Sequence, residues 1–274
     1  MASSGNGGII GPVNDPAKSD LVTVHTSSTP GFAVGAGTSE VNCLVVAGGG
    51  NANSGQGGCG GAGGYRNFTS IPVTGGNPYP IVVGGSMSTS SGFSYSCTAG
   101  GLGVAPRGAT PGGPGGSGGG AADHHPGGGG SGGSGNAGGY TPPEGNPGTG
   151  ASPGSNSGET PGAGGGAAGA GVMGGAPNYQ AQGGAGQPNT ISGADLWYAT
   201  GGCHPAPSYS SAPLSYPARG QPGLANTGNG AQGEGPFAGG SGVVVVGEVG
   251  AGGVVASGVW SLQTQYKARI EGNW

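Results

Sequence analysis

Apolar positions in the first third of the chain come in short runs of four to six residues. The runs are rich in β-branched and aromatic residues, and Gly, Pro, Asn and Ser bound them, which is typical of strands joined by turns. They lie at residues 21–26, 31–34, 42–46, 69–73, 79–83 and 93–97. We therefore predict a β-rich domain over residues 21–99, folded as a small β-sandwich.

Glycine replaces the apolar runs farther along the chain. Glycine-rich stretches at 112–120, 127–139 and 162–175 are separated by polar inserts. A polyproline-II-type helix has three residues per turn and no internal hydrogen bonds, and without a Cβ such helices can pack with their backbones in contact. The pattern predicts a polyglycine-II helix bundle over residues 100–247, with the inserts as distal loops and a closing strand at 242–246.

Composition alone also fits a disordered chain or collagen, because 76 of the 274 residues are Gly and 23 are Pro. Charged residues make up only 6% of the chain, which is too few for a well-solvated disordered segment. Collagen needs glycine at every third position, whereas Gly127 to Gly130 are consecutive. The polyglycine-II bundle is the better fit, and the expected fold class is mainly β and irregular.

The two ends of the chain differ from its interior. Residues 1–20 are polar and irregular, and we interpret them as an N-terminal arm. In the C-terminal tail, residues 248–274, Leu262, Tyr266 and Ile270 recur at intervals of four. This spacing places them on one face of a helix, so a short C-terminal helix is expected.

Charge and hydropathy exclude several classes of partner. The net charge is −4, and the six Lys and Arg residues form no basic patch, so we expect no nucleic-acid binding. Purely apolar runs such as 243–246 are far too short to span a bilayer, so no membrane insertion is expected. The first residues lack the basic and apolar regions of a secretory signal, and we expect none.

Residues suited to catalysis or metal binding are scattered. Cys43–Ala47 followed by Gly48 and Gly50 has the start of a dinucleotide-binding fingerprint, but Asn53 stands where the third Gly should be and no helix follows. Neither Asp123-His124-His125 nor Cys203-His204 has the spacing of a zinc site. We therefore expect no enzymatic activity, no cofactor and no metal.

The cysteines carry no recognisable pairing signal. Cys43, Cys59, Cys97 and Cys203 lack Cys-x-x-Cys spacing. Free, partly buried thiols are the expectation, and a single disulfide is the alternative.

Four glycine-containing segments, in this order, resemble a known family. They are residues 44–50, 60–66, 79–85 and 240–246. They resemble the glycine-rich domain of bacteriophage tail-fibre and adhesin proteins, across residues 21–247. The chain departs from the family pattern at residues 51–56, which interrupt the glycine run after the first strand. This interruption predicts a short first polyglycine-II helix. The resemblance implies a protein of the virion tail fibre, made in the host cytoplasm.

Partners and recognition residues follow from this resemblance. It implies contact with other fibre or tail proteins, as a homotrimer or as the cap of a trimeric fibre, and loops that recognise a bacterial surface glycan or outer-membrane protein without covalent chemistry. Aromatic rings supply contact area at low entropic cost. Candidate receptor-binding residues are Trp197, Tyr198, His204, Tyr209, Tyr216, Tyr140, Asn178, Tyr179, His124 and His125. Candidate contacts to the virion or to another subunit are Ile9, Ile10, Trp260, Leu262 and Tyr266.

Other interpretations of the same features stay open at this point. The aromatic rings of the segment 189–219 can instead pack in a local core. The whole chain can be a structural virion component, such as a head fibre or fibre shaft, that binds only other virion proteins. An ice-binding polyglycine-II protein is the third possibility, although such proteins need a flat, regular face and the inserts here are long and irregular.

Overall fold

The computed structural model describes residues 21–53, 57–105, 110–122, 130–151, 161–173, 181–203, 221–233 and 235–249. Within these residues the chain forms ten strands and no helix, so the prediction of a mainly β chain is confirmed. The N-terminal arm and nearly all of the C-terminal tail, including its expected helix, lie outside the described residues.

The strands are short and fall mostly where the apolar runs predict them. Their bounds are β1 (Leu21–His25), β2 (Thr29–Ala33), β3 (Glu40–Val46), β4 (Tyr65–Pro72), β5 (Pro78–Val82), β6 (Ser90–Gly92), β7 (Tyr95–Cys97), β8 (Gln187–Asn189), β9 (Leu196–Tyr198) and β10 (Val243–Glu248). Three features differ from the sequence-based expectation. Strand β4 begins at Tyr65, four residues before the run at 69–73. The run at 93–97 forms only the second arm of a β6–β7 hairpin, and the hairpin of β8 and β9 lies inside the predicted glycine region.

Two four-stranded antiparallel sheets are present, with strand orders β1-β10-β3-β4 and β2-β5-β6-β7. Strand β10 lies between β1 and β3, so that Val245 faces Val24 on one side and Leu44 on the other. All six residues of β10 are buried. The strand that follows the glycine region therefore completes the sheet that precedes it.

Both faces of the first sheet are covered. Because side chains alternate along a strand, Cys43 and Val45 of β3 lie in one buried cluster, whereas Leu44 and Val46 lie in another. The first cluster also includes Ile81 and other residues of the second sheet. The second cluster contains Tyr198 of β9. The β8–β9 hairpin thus packs on the face of the first sheet that points away from the second sheet.

Outside the strands, extended segments of the chain are joined to one another by backbone hydrogen bonds. In the segment 57–64, consecutive amides donate to three neighbours in rotation, so that every third amide returns to the same neighbour. The accepting segments are residues 98–104, 162–165 and 228–231. Carbonyl groups of the same segment accept from three further segments, residues 47–50, residues 117–120 and Gly202. Backbone hydrogen bonds therefore link this segment to six others.

Such close contact between backbones requires glycine at the contact points. Gly60 donates to the carbonyl oxygen of Ala231 at 2.9 Å and accepts from Gly202 at 2.9 Å. A Cβ at Gly60 would overlap the carbonyl oxygen of Gly50, and one at Gly58 would overlap that of Gly120. Because these neighbours are backbone atoms, they cannot move aside by a change of rotamer.

Candidate functional site

The β8–β9 hairpin carries the candidate site, and its turn is built by local hydrogen bonds. The side-chain oxygen of Asn189 accepts from the N–H of Ile191 at 2.8 Å, an arrangement that Asn commonly forms in turns. The N–H of Gly193 donates to the carbonyl oxygen of Thr190 at 2.9 Å. Gly193 has φ of +83°, in the left-handed region that glycine adopts without strain. The turn is thereby fixed, and Trp197 pairs with Pro188 across the hairpin.

The contacts that hold this hairpin on the first sheet include a buried aromatic ring and a side-chain hydrogen bond. The ring of Tyr198 is only 4% exposed and packs in the cluster with Leu44 and Val243. The side-chain amide of Asn189 donates to the hydroxyl oxygen of Tyr65 on β4 at 2.7 Å. The sequence left two interpretations open for Tyr198, receptor contact and packing in a local core. The structure places its ring in a core.

An open groove of about 600 Å³ lies between this hairpin and strands β3 and β4. The sheet contributes Asn42, Asn67 and Thr69, and the hairpin contributes Asp195, Trp197 and the turn residues 188–191. Trp197 is half-buried, whereas Asn67, Thr69 and Asp195 are exposed. The groove thus combines one large aromatic ring with amide, hydroxyl and carboxylate groups.

Several polar groups of the groove are free to bind a ligand. The side-chain oxygen of Asn42 accepts from the N–H of Ser70 at 3.0 Å, which orients the Asn42 amide nitrogen. Within the described part of the chain, no hydrogen-bond partner is seen for the side chains of Asn67, Asp195 or Trp197. These groups can therefore donate to or accept from a bound molecule without breaking an existing bond.

The charge of the groove is negative. Among the described residues that line the groove, Asp195 is the one that is charged. Arg66 is the one Lys or Arg in the described part of the chain, and strand alternation places it on the opposite face of β4 from Asn67 and Thr69. The guanidinium of Arg66 there donates to the carbonyl oxygen of Ser96 at 3.0 Å.

The two tyrosines that anchor the hairpin are less acidic than usual. Burial raises the pKa of Tyr65, with a smaller increase from Tyr198, while the hydrogen bond from Asn189 acts in the opposite direction. Burial also raises the pKa of Tyr198, and a hydrogen bond with Ser192 partly offsets that increase. Both hydroxyls therefore stay protonated through the physiological range.

Tyr140, another predicted receptor residue, lies away from the groove. Its ring centre is 3.9 Å from the guanidinium carbon of Arg66, and its hydroxyl is 2.9 Å from Oγ of Ser96. The same guanidinium lies 4.7 Å from the ring centre of Phe68, which stacks on Tyr95. Tyr140 and Trp197 therefore belong to two separate surfaces.

A buried carboxylate supports the segment that carries Tyr140. Glu144 is 1% exposed and accepts hydrogen bonds from the backbone N–H groups of Thr98 at 2.8 Å and Gly138 at 3.1 Å. The carbonyl oxygen of Glu144 also accepts from the N–H of Tyr65 at 2.8 Å. Its charge is thus balanced by amide donors, as a buried carboxylate requires.

The remaining candidates fall outside the described residues. These are His204, Tyr209, Tyr216, Asn178, Tyr179, His124 and His125, and, among the docking candidates, Ile9, Ile10, Trp260, Leu262 and Tyr266. In the part of the chain that is described, no group of three or more His, Cys, Asp or Glu side chains is placed to hold a metal. Cys43, Cys97 and Cys203 are free thiols, as expected, and all four cysteines are buried rather than partly buried. Burial raises the pKa of Cys43 to about 12.

Sequence reasoning missed the polar half of the groove. The groove takes Asn42 from β3, Asn67 and Thr69 from β4, and Asp195 from the hairpin turn, and these three parts lie far apart in the chain. One local signal exists, since Asn67-Phe68-Thr69 has the form of a glycosylation sequon. It shows two polar residues two positions apart on a strand, which is the spacing that places both on one face.

Comparison with known proteins gives no relative: no protein family, no curated protein and no solved structure matches the chain. The described residues include no helix of the length and hydropathy needed to cross a membrane.

Proposed function

We propose that this chain is a phage tail-fibre or fibre-tip protein that binds the host surface without covalent chemistry. The observation that supports the proposal is the groove beside Trp197. There an aromatic ring lies beside polar side chains that have no hydrogen-bond partner among the described residues, and the backbone that bears them is fixed by strand pairing and by the hairpin turn. Part of the groove is the turn of the hairpin, and binding residues on turns and loops held by a rigid scaffold are a common arrangement for recognition. The four glycine-containing segments that resemble phage fibre proteins supply the biological context.

The scaffold part of the proposal is a bundle of polyglycine-II helices beside a β-sandwich. The return of every third amide of residues 57–64 to the same neighbour supports it, because this helix has three residues per turn. The shared buried cluster of the two four-stranded sheets supports the sandwich. In such a scaffold the inserts between the polyglycine-II helices can vary in sequence without disturbing a side-chain core.

Partner and location follow as parts of the same proposal. The chain is placed in the virion, in contact with other fibre or tail proteins, as a homotrimer or as the cap of a trimeric fibre. Several copies per particle would multiply weak individual contacts through effective concentration. The receptor is a surface glycan or an outer-membrane protein of the host bacterium.

Adsorption blocking tests the proposal. Purified chain is added to host cells before the phage that encodes it, and the phage left free in solution are counted. We expect fewer adsorbed phage as the concentration of the chain rises. Immunogold labelling of intact virions with an antibody to the chain provides the second measurement, and we expect label at the tail fibres.

Two results would overturn the proposal in different ways. Label on the virion together with unchanged adsorption, measured with chain shown to be folded by circular dichroism, would favour a structural fibre component. Absence of label would remove the virion assignment itself. Point variants are preferable to deletion of residues 195–216, because that deletion removes β9 and the buried ring of Tyr198.

A further inference from the structure

We infer that the groove between the β8–β9 hairpin and strands β3 and β4 binds an uncharged or amine-bearing saccharide and disfavours acidic sugars. The inference rests on the proposed function and names the chemical class of ligand and the place where it binds. Three properties of the groove carry it: an aromatic ring, amide and hydroxyl groups beside it, and the sign of its charge.

The aromatic ring suits the apolar face of a sugar. A pyranose presents C–H groups on its faces and hydroxyl groups around its rim. The face can pack on a large ring such as the indole of Trp197, which lines the groove and is half-buried. An indole also offers one N–H donor and loses little conformational entropy on binding. Pairing with Pro188 across the hairpin holds the backbone of Trp197 in place.

The polar groups suit the rim of the same sugar. Asn67 and Thr69 both project into the groove from one face of β4, two residues apart. Asn42 lies beside them on β3, and its amide nitrogen is oriented by the bond that its oxygen accepts from Ser70. Amides and hydroxyls donate and accept at once, which matches sugar hydroxyls that also do both.

The charge decides between classes of saccharide. Asp195 is exposed at the groove, and none of the described residues that line it is a cation. Arg66 is turned to the opposite face of β4, where it contacts Tyr140 and the carbonyl oxygen of Ser96. A carboxylate, sulfate or phosphate on the ligand would meet the charge of Asp195 without a compensating partner, and an amine on the ligand would be attracted to it.

A glycan microarray tests the inference with the full chain. Neutral, amine-bearing and acidic bacterial saccharides are printed at equal density and probed with labelled chain at low salt and again at physiological salt. We expect the bound glycans to be neutral or amine-bearing. Trp197→Ala should lower the apparent affinity about tenfold or more, the size of loss typical of a central aromatic contact.

Two further variants test the charge argument independently of Trp197. Asp195→Asn should weaken binding of amine-bearing glycans severalfold and leave neutral glycans within about twofold, because only the Coulomb attraction is removed. Asp195→Arg should allow acidic glycans to bind. Tyr95→Ala serves as the matched control, since it removes an aromatic ring that contacts the opposite face of β4, and it should leave glycan binding unchanged.

Failure of this inference can be told from failure of the proposed function by a cell-binding assay with the same variants. A preference for acidic glycans, or equal binding by Trp197→Ala and the unaltered chain, would overturn the inference. So would binding to host cells without binding to any printed glycan, a result that points to a protein receptor and leaves the proposed function intact. If the unaltered chain does not bind specifically to host cells, the proposed function itself is overturned.

Discussion

The side-chain amide of Asn189 donates a hydrogen bond to the hydroxyl oxygen of Tyr65 across 2.7 Å. These residues are 124 positions apart in the chain, and the bond joins the β8–β9 hairpin to strand β4. Asn189 also fixes the hairpin turn by accepting from the N–H of Ile191. One side chain therefore shapes the turn and sets the distance between the two walls of the groove.

Removal of the Tyr65 hydroxyl should loosen the groove. Tyr65→Phe leaves the Asn189 amide without its acceptor, and we expect the free energy of unfolding to fall by about 1 kcal/mol. Glycan binding should weaken as well, because the hairpin loses its tie to β4. Denaturant unfolding and glycan titration measure the two effects. Tyr79→Phe is the control: its hydroxyl accepts from an exposed N–H, that of Thr74, so its loss should cost less and leave binding unchanged.

A methyl group inside the backbone-packed region should be strongly destabilising. Gly60→Ala would place a Cβ against the carbonyl oxygen of Gly50, and separating two backbone segments should cost about 3 kcal/mol or more. Gly85→Ala is the matched control, since a Cβ there meets nothing within 4 Å. Thermal unfolding of both variants checks the prediction, and equal Tm values would contradict it.

Glu144 should be needed as a carboxylate and not merely as a polar side chain. Glu144→Gln replaces one acceptor oxygen with an NH₂ group facing the N–H of Thr98 or Gly138. We expect a loss of about 1–3 kcal/mol in the free energy of unfolding, the usual cost of a buried donor without an acceptor. Glu40→Gln, at a partly exposed position with no side-chain bond to a described residue, should change stability by less than about 0.5 kcal/mol. Urea unfolding at neutral pH compares the two.

Stability should decline in alkali because of the buried thiols. The ordinary pKa of 9.0 is raised to about 12 for Cys43 by burial. Below pH 9 the thiol is protonated in both the folded and the unfolded chain, and its contribution is complete. Between pH 9 and about 12 only the unfolded chain loses the proton, so the free energy of unfolding falls. By the upper end the loss from this thiol reaches about 4 kcal/mol, since each tenfold difference in acidity is worth about 1.4 kcal/mol.

Substitution of Cys43 should reveal its share of this decline. Cys43→Ala lowers stability at neutral pH through lost packing, but the slope of stability against pH above pH 9 should become shallower. Part of the slope will remain, because burial also raises the pKa of Cys97, Cys203, Tyr65 and Tyr198. An unchanged slope would show that the Cys43 thiol is not buried in solution.

Local pattern predicted the strands well where β-branched residues are concentrated. The run at 42–46 and the valines from 243 onward form β3 and β10, since both are apolar on both faces and bounded by glycine. Their pairing could not be predicted. The order β1-β10-β3-β4 places residues more than 190 positions apart side by side, and an alternation pattern shows only which faces are apolar, not which strand lies beside which.

The hairpin and the groove were beyond sequence reasoning for a related reason. Strand β8 has the sequence Gln-Pro-Asn, which carries no strand signal, and it forms because β9 and Tyr65 supply its partners. Trp197 was predicted as a binding residue from its aromatic ring and from the resemblance to phage fibre proteins. Its neighbours Asn42 and Asn67 come from the first sheet, and only the packing of the hairpin on that sheet brings them together.

The six neighbours of the segment 57–64 also constrain the time at which this protein can fold. The N–H of Gly60 donates to the carbonyl oxygen of Ala231, and Ala231 is added by the ribosome 171 residues after Gly60. Closing so long a loop has a large entropic cost before any contact repays it, and chains dominated by distant contacts fold slowly. During synthesis the segment 57–64 therefore stays unfolded, with its amides hydrogen-bonded to water, until the segments that surround it have left the ribosome. Because glycine offers almost no apolar surface, this unfolded segment has little tendency to aggregate.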